Sequence, residues 1–443
     1  MGKFNGIQLA VEMKEERALK WHLHYRGKLQ VCPKVPIRSW RDFAVWYTPG
    51  VAVPCLEIHR DGLKVYEYTN KWNSVAVVTD GSRVLGLGDI GPEAGLPVME
   101  GKAIIFKYLG GVDAYPICLN VKKVEDIVQA VEWIKPSFGG VNLEDISSPK
   151  CFEILEQLRR RLDIPVWHDD QQGTATVVLA ALINALKLVG KKISEVHVSL
   201  VGAGAANTAI YRLITAAGVR KGNVVMVDSK GILNDQRVDL KEASPLKWKI
   251  CLESNEDGRI GGVEEALRGA DICVACSQPK PGLISVNMVK SMADDPIVFA
   301  LANPEPEIWP WDAEKAGAKV VATGRSDFPN AVNNSLGFPG IFRGALDVRA
   351  KTITDEMCIA AAHAIAETAE EKGLREDYII PSMDEWEVYP REAVAVGLKA
   401  MEQGVARLKL TRENLAENAQ SIIEESRRML EILMKTNLIP PTP

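Results

Sequence analysis

Between residues 196 and 324 the chain alternates short apolar runs with stretches of helical period. VHVSLVGAG (196–204), NVVMVD (223–228), ADICVAC (270–276), PIVFALANP (296–304) and AKVVATG (318–324) are the apolar runs, punctuated by Gly, Asp or Pro. NTAIYRLITAAG and GGVEEALRG lie between the first three and carry helix-like patterns. Strands that are apolar on both faces and alternate with helices predict a parallel sheet covered on both sides. The expected fold class is therefore α/β, with a doubly wound parallel sheet of the dinucleotide-binding type.

The first 170 residues are less regular. Asn73 to Asp89 reads as two strands around Asp80-Gly81, a hairpin signal. A helix is expected from Met99 to Leu109, then a strand at AYPICLN, a helix at VEDIVQAVEWIKP ending at Pro136, and a strand at PSFGGVNLEDI. The amphipathic CFEILEQLRRRL and the strand-like IPVWHDD follow, and after Ala350 the pattern is helical. The expected division is an N-terminal α/β domain (1–160) and a Rossmann-like domain with a C-terminal helical extension (161–443). The last amphipathic stretch, Leu415 to Met434, suits either a subunit contact or packing on its own domain.

Composition adds exclusions. The 443 residues carry 53 Lys plus Arg against 58 Asp plus Glu, a net charge of −5, so neither nucleic acid nor an anionic membrane is the expected main partner. The opening MGKFNGIQLAVEMKEER has no apolar leader core, and Gly6 stands where a myristoylation signal wants Ser or Thr. The stretch Thr174 to Gly190, broken by Asn184 and Lys187, is short for a bilayer span. Eight Cys make no disulfide framework, and Cys273-Val-Ala-Cys276 reads as a buried strand rather than a redox or zinc motif. A cytoplasmic location is expected.

Three groups of residues carry candidate chemistry. After the strand VSLV come Gly202, Ala203, Gly204, Ala205, Ala206 and Asn207 and then a helix. Gly202 permits the tight turn and Gly204 lets backbone N–H groups approach a pyrophosphate; Asn207 replaces the third glycine of the fingerprint. Asp228 ends the next strand, 24 residues after Gly204, where a ribose-binding carboxylate belongs. Asp228 suits NAD, whereas Ser229, Lys230 and Arg237 suit the 2′-phosphate of NADP, and the pattern leaves the two open. NADP is put first and NAD second.

Two pairs of adjacent acids, Glu144-Asp145 and Asp169-Asp170, end strand-like segments. Neighbours on a strand point to opposite faces, so a pair converges only where the chain leaves the sheet. Carboxylates gathered without Cys suit Mg²⁺ or Mn²⁺, while the alternative is that they cap the helices that follow. His168 is read as structural. Tyr47, before the rigid Thr-Pro-Gly turn, and Lys102, on an apolar helix, are candidate acid–base groups.

YTPGVA, VTDGSRVLGLGDIGPEAGLPVMEGKAIIFK, GGVNLEDISSPKCFEI, WHDDQQGTA, VGAGAA, FALANPEPEI and ATGRSDFPNAVNNSLGFPGIFRGALD, in that order, resemble the malic enzymes of the short bacterial and archaeal type. The resemblance runs from Trp40 to Leu408. It implies metal-dependent oxidative decarboxylation of (S)-malate to pyruvate and CO₂, with reduction of NADP or NAD, by a homodimer or higher oligomer. It also implies roles: Glu144, Asp145 and Asp170 for the cation, Tyr47 as general acid, Lys102 as general base, and Asp169 as the acid that orients Lys102. Arg83, Asn303, and Asn333 or Asn334 match substrate-binding positions, Asn303 also lying toward the cofactor. Gln172 departs from the usual His of the bacterial pattern. Two other readings stand beside this one: a malolactic-type lyase that retains NAD and releases lactate, and a dinucleotide-binding sensor without catalysis.

Overall fold

The computed structural model describes residues 16–443. The readings of the extreme N-terminus therefore lie largely outside the described residues. Two sheets organise the chain. The first joins β1 (Ser74–Thr79), β2 (Asp113–Cys118), β3 (Gly140–Leu143) and β4 (Val166–His168), all parallel, in the order β2-β1-β3-β4. This sheet takes its last strand from beyond residue 160.

The second sheet joins β5 (Val198–Val201), β6 (Val224–Asp228), β7 (Gly231–Ile232), β8 (Ile272–Ala275), β9 (Ile297–Ala300) and β10 (Val320–Thr323) in the order β10-β9-β8-β5-β6-β7. All its pairs are parallel except the short β6–β7 hairpin at the edge. The winding reverses between β5 and β8, and ligand sites in such sheets form beyond the strand ends at that point.

Alternation along β1 divides the N-terminal core. Val75 and Val77 face the large cluster that runs on to the second sheet, whereas Ala76 and Val78 face a separate cluster under the helices Val124–Ile134 and Lys150–Arg161. The apolar helix Thr174–Val189 joins the two halves and is buried along most of its length. With the preceding turn it is the one helix among the described residues long and apolar enough for a membrane, and it forms part of the core between the sheets.

Two expectations need correction. The hairpin expected over Asn73–Asp89 is absent: after β1 the chain forms a looped segment with a single bridge, Val84 to Gly88, and β1 pairs in parallel instead. The reason is the turn at Gly81, whose positive φ of 66° and close approach to the Gly91 carbonyl fold the segment back onto a helix start rather than onto β1. That helix begins well before Met99, spanning Pro92–Gly110 with Pro97 inside it. The final helix, Arg412–Lys435, packs on its own chain: Leu415, Ala419 and Ile423 are buried, and Ser426 donates to the Lys107 carbonyl at 2.8 Å.

Candidate active site

The ends of β3 and β4 and the middle of the helix Pro92–Gly110 meet at one point. Lys102 Nζ lies 2.6 Å from Asp169 Oδ2 and 3.1 Å from Glu144 Oε1. The Phe338 ring, its centre 4.6 Å from Nζ, closes the apolar side. Sequence reading missed Phe338, since an aromatic in the GFPG segment carries no signal beyond hydrophobicity. Each carboxylate is held by a second donor: Trp167 Nε1 donates to Asp169 Oδ1 at 3.0 Å, and Asn142 Nδ2 to Glu144 Oε2 at 2.8 Å. Trp167 and Asn142 are fully buried partners that only contact geometry could have identified.

Asp169–Gly173 forms a wide π-type helical turn between β4 and the helix Thr174–Val189. That turn lets the adjacent Asp169 and Asp170 serve different neighbours. Asp169 turns in to Lys102, and Asp170 Oδ2 accepts the backbone N–H of Asp145 at 3.0 Å. Gly173 is required here, because a Cβ would fall 2.0 Å from Asp169 Oδ1. The capping alternative fails: neither following helix receives a side-chain cap, and its acids point elsewhere.

Glu144, Asp145 and Asp170 each present an oxygen within 4.8 Å of the others. Asp145 has a positive φ of 53°, which swings it out of line with β3, and its Oδ2 is buried with no hydrogen-bond partner. Burial, with Asp170 adding repulsion, pushes the Asp145 carboxyl up to about 7. Burial likewise raises Glu144 well above the usual range, partly countered by Lys102. For Lys102 burial works against the ammonium, but Asp169 and Glu144 outweigh it and hold the proton more tightly than usual. Two buried carboxylates and a half-buried third pressed together are stable as anions only with positive charge among them, and an all-oxygen donor set fits a hard divalent ion such as Mg²⁺ or Mn²⁺. The residues present fit the cation.

His168 is completely buried, its Nδ1 3.6 Å from Asp170 Oδ2, and burial lowers its basicity. It backs the acidic cluster rather than opening into it.

The loop after β1 forms the rim. Asp80 accepts from Ser82 Oγ at 2.6 Å and pairs with Lys150, while Arg83 N–H donates to the Asp145 carbonyl at 3.0 Å, tying the Arg83 loop to a candidate ligand. Arg83 itself is exposed at the mouth. Gly86 lies against the Asn303 carbonyl, 2.9 Å from where its Cβ would stand, so the Arg83 and Asn303 segments converge. Asn303 Nδ2 donates to the Gly324 carbonyl at 3.3 Å. Of the two neighbouring asparagines, Asn334 lies beside Gly173, whereas Asn333 caps the short turn after it by accepting from Ser335 N–H at 3.0 Å. Tyr47 does not join the cluster. It is 68% exposed on the N-terminal segment, and among the described residues its hydroxyl has no hydrogen-bond partner.

The glycine loop follows the sequence reading. Gly202 has a φ of 99° and lies against the Cys276 carbonyl, and a side chain at Gly204 would meet open space at the N-terminus of the helix Ala205–Ala216. Asn207 explains the missing third glycine: its Nδ2 donates to the carbonyls of Val201 at 2.9 Å and Gly202 at 2.8 Å, binding helix to strand by hydrogen bonds instead of by close packing. Ala203, Ala205 and Ala206 keep the approach small-sided, and the helix packs on the Asp169–Gly173 turn. At the far end Asp228 accepts both Arg237 terminal nitrogens at 3.0 Å and the Lys230 N–H at 2.8 Å. Arg237 also reaches Asp239 from Nε at 2.9 Å, and Lys230 Nζ lies 3.2 Å from Asp239; Ser229 is exposed. Glu307, unremarked in the sequence, is fully buried and accepts from Ser277 and Ala302 N–H groups, joining the loops beyond β8 and β9. Cys273 lies inside β8 and Cys276 just past it, both thiols raised by burial, as the buried-strand reading expects.

Comparison with known proteins agrees with this architecture. Residues 26–125 and 122–159 match the family model "Malic enzyme, N-terminal domain", and residues 171–401 match "Malic enzyme, NAD binding domain". The "Bifunctional malic/malolactic enzyme" of Bacillus subtilis is 52% identical over 92% of this chain and 98% of its own. The "NAD-dependent malic enzyme" of Geobacillus stearothermophilus is 51% identical over 87% of this chain and 79% of its own. The crystal structure of Entamoeba histolytica malic enzyme superposes with a TM-score of 0.96 at 46% identity, covering 98% of this chain and 91% of that one. With both halves matched in order by the family models and by these relatives, the chain belongs to the malic enzyme family.

Proposed function

We propose that the protein oxidises (S)-malate and decarboxylates the product to pyruvate and CO₂, passing the hydride to a nicotinamide dinucleotide. The observation that carries the reading is Lys102 held by Asp169 and Glu144 at the edge of three converging carboxylates, with the helix of the glycine loop packed on the Asp169 turn. Glu144, Asp145 and Asp170 would hold a divalent cation, which would supply Lewis-acid stabilisation of an oxyanion and positive charge beside Lys102. Lys102 Nζ takes the C2 hydroxyl proton of malate, with Asp169 fixing its direction. Arg83 and Asn303 hold the substrate at the mouth, and Asn334 borders it from the Gly173 side. Phe338 keeps water from the lysine. Tyr47 delivers the proton to C3 of the enolate of pyruvate, after the distal carboxylate has left as CO₂.

NAD is the proposed cofactor ahead of NADP. The Arg237 guanidinium directs its donors at Asp228 and Asp239, leaving a carboxylate where a 2′-phosphate would stand. Eight free thiols, four of them buried, support the cytoplasmic reading. The malolactic activity in the name of the Bacillus subtilis relative makes lactate release the second reading worth testing.

The test is an absorbance assay for reduced nicotinamide with (S)-malate and Mn²⁺, a chelator control, and analysis of pyruvate and lactate. Chelator-sensitive reduction matched by pyruvate is expected; lactate without net reduction makes the protein a lyase. Lys102→Ala should lower kcat by roughly 10²- to 10⁴-fold with cofactor binding kept, and near-normal turnover would remove the base assignment.

A further inference from the structure

The segment FALANPEPEI places Asn303 at the mouth of the cleft and, four residues further on, buries Glu307 completely. Nothing in the chemistry above uses this carboxylate. Its partners are neutral donors from two separate loops. Oε1 accepts the Ser277 N–H at 2.8 Å and the Ser277 hydroxyl at 3.0 Å, and Oε2 accepts the Ala302 N–H at 3.1 Å. The Glu307 main-chain carbonyl accepts two more, the N–H groups of Gly282 at 3.0 Å and Ile284 at 3.2 Å. Backbone N–H groups turned inward from two loops need acceptors on two sides, and a carboxylate offers them from a single residue, whereas an amide accepts on one atom only.

Both loops are walls of the cleft. The Cys276 carbonyl and the Ser277 Cβ stand 2.5 and 3.1 Å from where a Cβ on Gly202 would lie, so Ser277 backs the turn of the glycine loop. Ala302 directly precedes Asn303, whose side chain reaches the Gly324 carbonyl at 3.3 Å. Pro279, between Ser277 and Gly282, and Pro304, after Asn303, come within 3.7 and 3.5 Å of a Cβ placed on Gly86 in the Arg83 loop. One buried residue therefore pins both ends of the Ser277–Gly282 loop and the start of the Asn303 turn, and both lean on the loop that carries Arg83.

We infer that Glu307 is a positioning residue for the reaction. It holds the backing of the glycine loop and the substrate-binding Asn303 in one register, and so sets the distance between the dinucleotide and malate. The inference rests on the proposed reading of malate as substrate and of Asn303 as one of its ligands. Hydride transfer tolerates little error in that distance, since a misplacement of about 1 Å costs on the order of 10²-fold in rate.

The test compares two variants with a core control. Glu307→Ala leaves every side-chain-bound donor without its acceptor. Glu307→Gln keeps the size but accepts on one side only, and it guards against failure of the alanine variant to fold. Either change lets one wall move relative to the other, so kcat at saturating malate, Mn²⁺ and the dinucleotide that the wild type reduces should fall by roughly 10- to 100-fold. Mn²⁺ affinity should stay at the wild-type value, because Glu144, Asp145 and Asp170 take no support from Glu307. NAD affinity, by isothermal titration calorimetry, should weaken in Glu307→Ala through the loss of the Ser277 contact with Gly202. The control is Ile127→Ala, a fully buried change in the separate cluster under β1, which should lower the melting temperature and keep kcat. Glu307 variants that behave like this control, less stable but with normal kcat, would show a role in folding alone and overturn the inference. A parallel fall in Mn²⁺ affinity would make the damage general and overturn it as well. A wild-type chain without malate turnover removes the proposed reaction and the inference together, a result that no variant can mimic.

Discussion

Gly173→Ala tests whether the Asp169 turn sets the position of the base. The added Cβ would stand 2.0 Å from Asp169 Oδ1, 2.9 Å from its Cγ and 3.3 Å from the Asn334 Cβ. Ordinary contact distances demand that the carboxylate withdraw by roughly 1 Å or more. It has little room to do so, because Asp169 is fully buried between the indole N–H of Trp167 at 3.0 Å and Lys102 at 2.6 Å. Losing the indole bond costs about 1.5–3 kcal/mol, and overpacking adds about 1–3 kcal/mol, so a stability loss of a few kcal/mol is expected. A base displaced by about 1 Å costs on the order of 10²-fold in rate, and the loss should fall on kcat rather than on the KM of the dinucleotide. Steady-state kinetics on folded protein, with denaturant melts alongside, measures both terms. Gly101→Ala is the control: it is on the Lys102 helix, no heavy atom lies within 4 Å of its new Cβ, and up to about 1 kcal/mol of helix stabilisation with unchanged kcat is expected. A Gly173→Ala protein with wild-type kcat would refute the claim that the turn positions Lys102.

Two further outcomes follow from the same geometry. The Asp145 carboxyl, pushed up to about 7 by burial and by Asp170, holds a proton below that pH that a metal must displace. Mn²⁺ affinity, read by electron paramagnetic resonance of the free ion, should thus fall by up to about tenfold per pH unit below 7 and level off above it, and Asp145→Asn should lose both affinity and slope. Affinity that is flat from pH 6 to 8 would contradict a buried carboxylate ligand. Asp228→Ala removes the ribose acceptor and frees Arg237, so kcat/KM should fall by about 10- to 100-fold with NAD and rise with NADP. An unchanged ratio between the two cofactors would place specificity elsewhere.

Much of this protein was legible in its sequence, where local chemistry has a fixed consequence. The apolar runs at 198–201, 224–228, 272–275, 297–300 and 320–323 became strands because a buried strand needs apolar residues on both faces. The step from Gly202 to Asp228 marked the cofactor loop because only a small residue lets backbone approach a phosphate. The acids and Lys102 were visible as residue types at strand ends and on an apolar helix.

Their partnership came only from the family resemblance and not from the residue pattern, because it depends on where distant segments meet. Lys102 and Asp169 are 67 positions apart and become a pair only when β4 is laid beside β3 and the helix Pro92–Gly110 crosses them. The π-type turn that separates the roles of Asp169 and Asp170, and the positive φ that turns Asp145 inward, are backbone outcomes that tertiary packing enforces against local preference. The hairpin misreading has the same origin, since Asp80-Gly81 does make a turn, but the partner for β1 was chosen by the parallel sheet. What remained on the outside was equally a tertiary decision. The motif around Tyr47 is plain in the sequence, yet folding left it on an N-terminal segment with exposed apolar side chains, because that segment enters neither sheet's core.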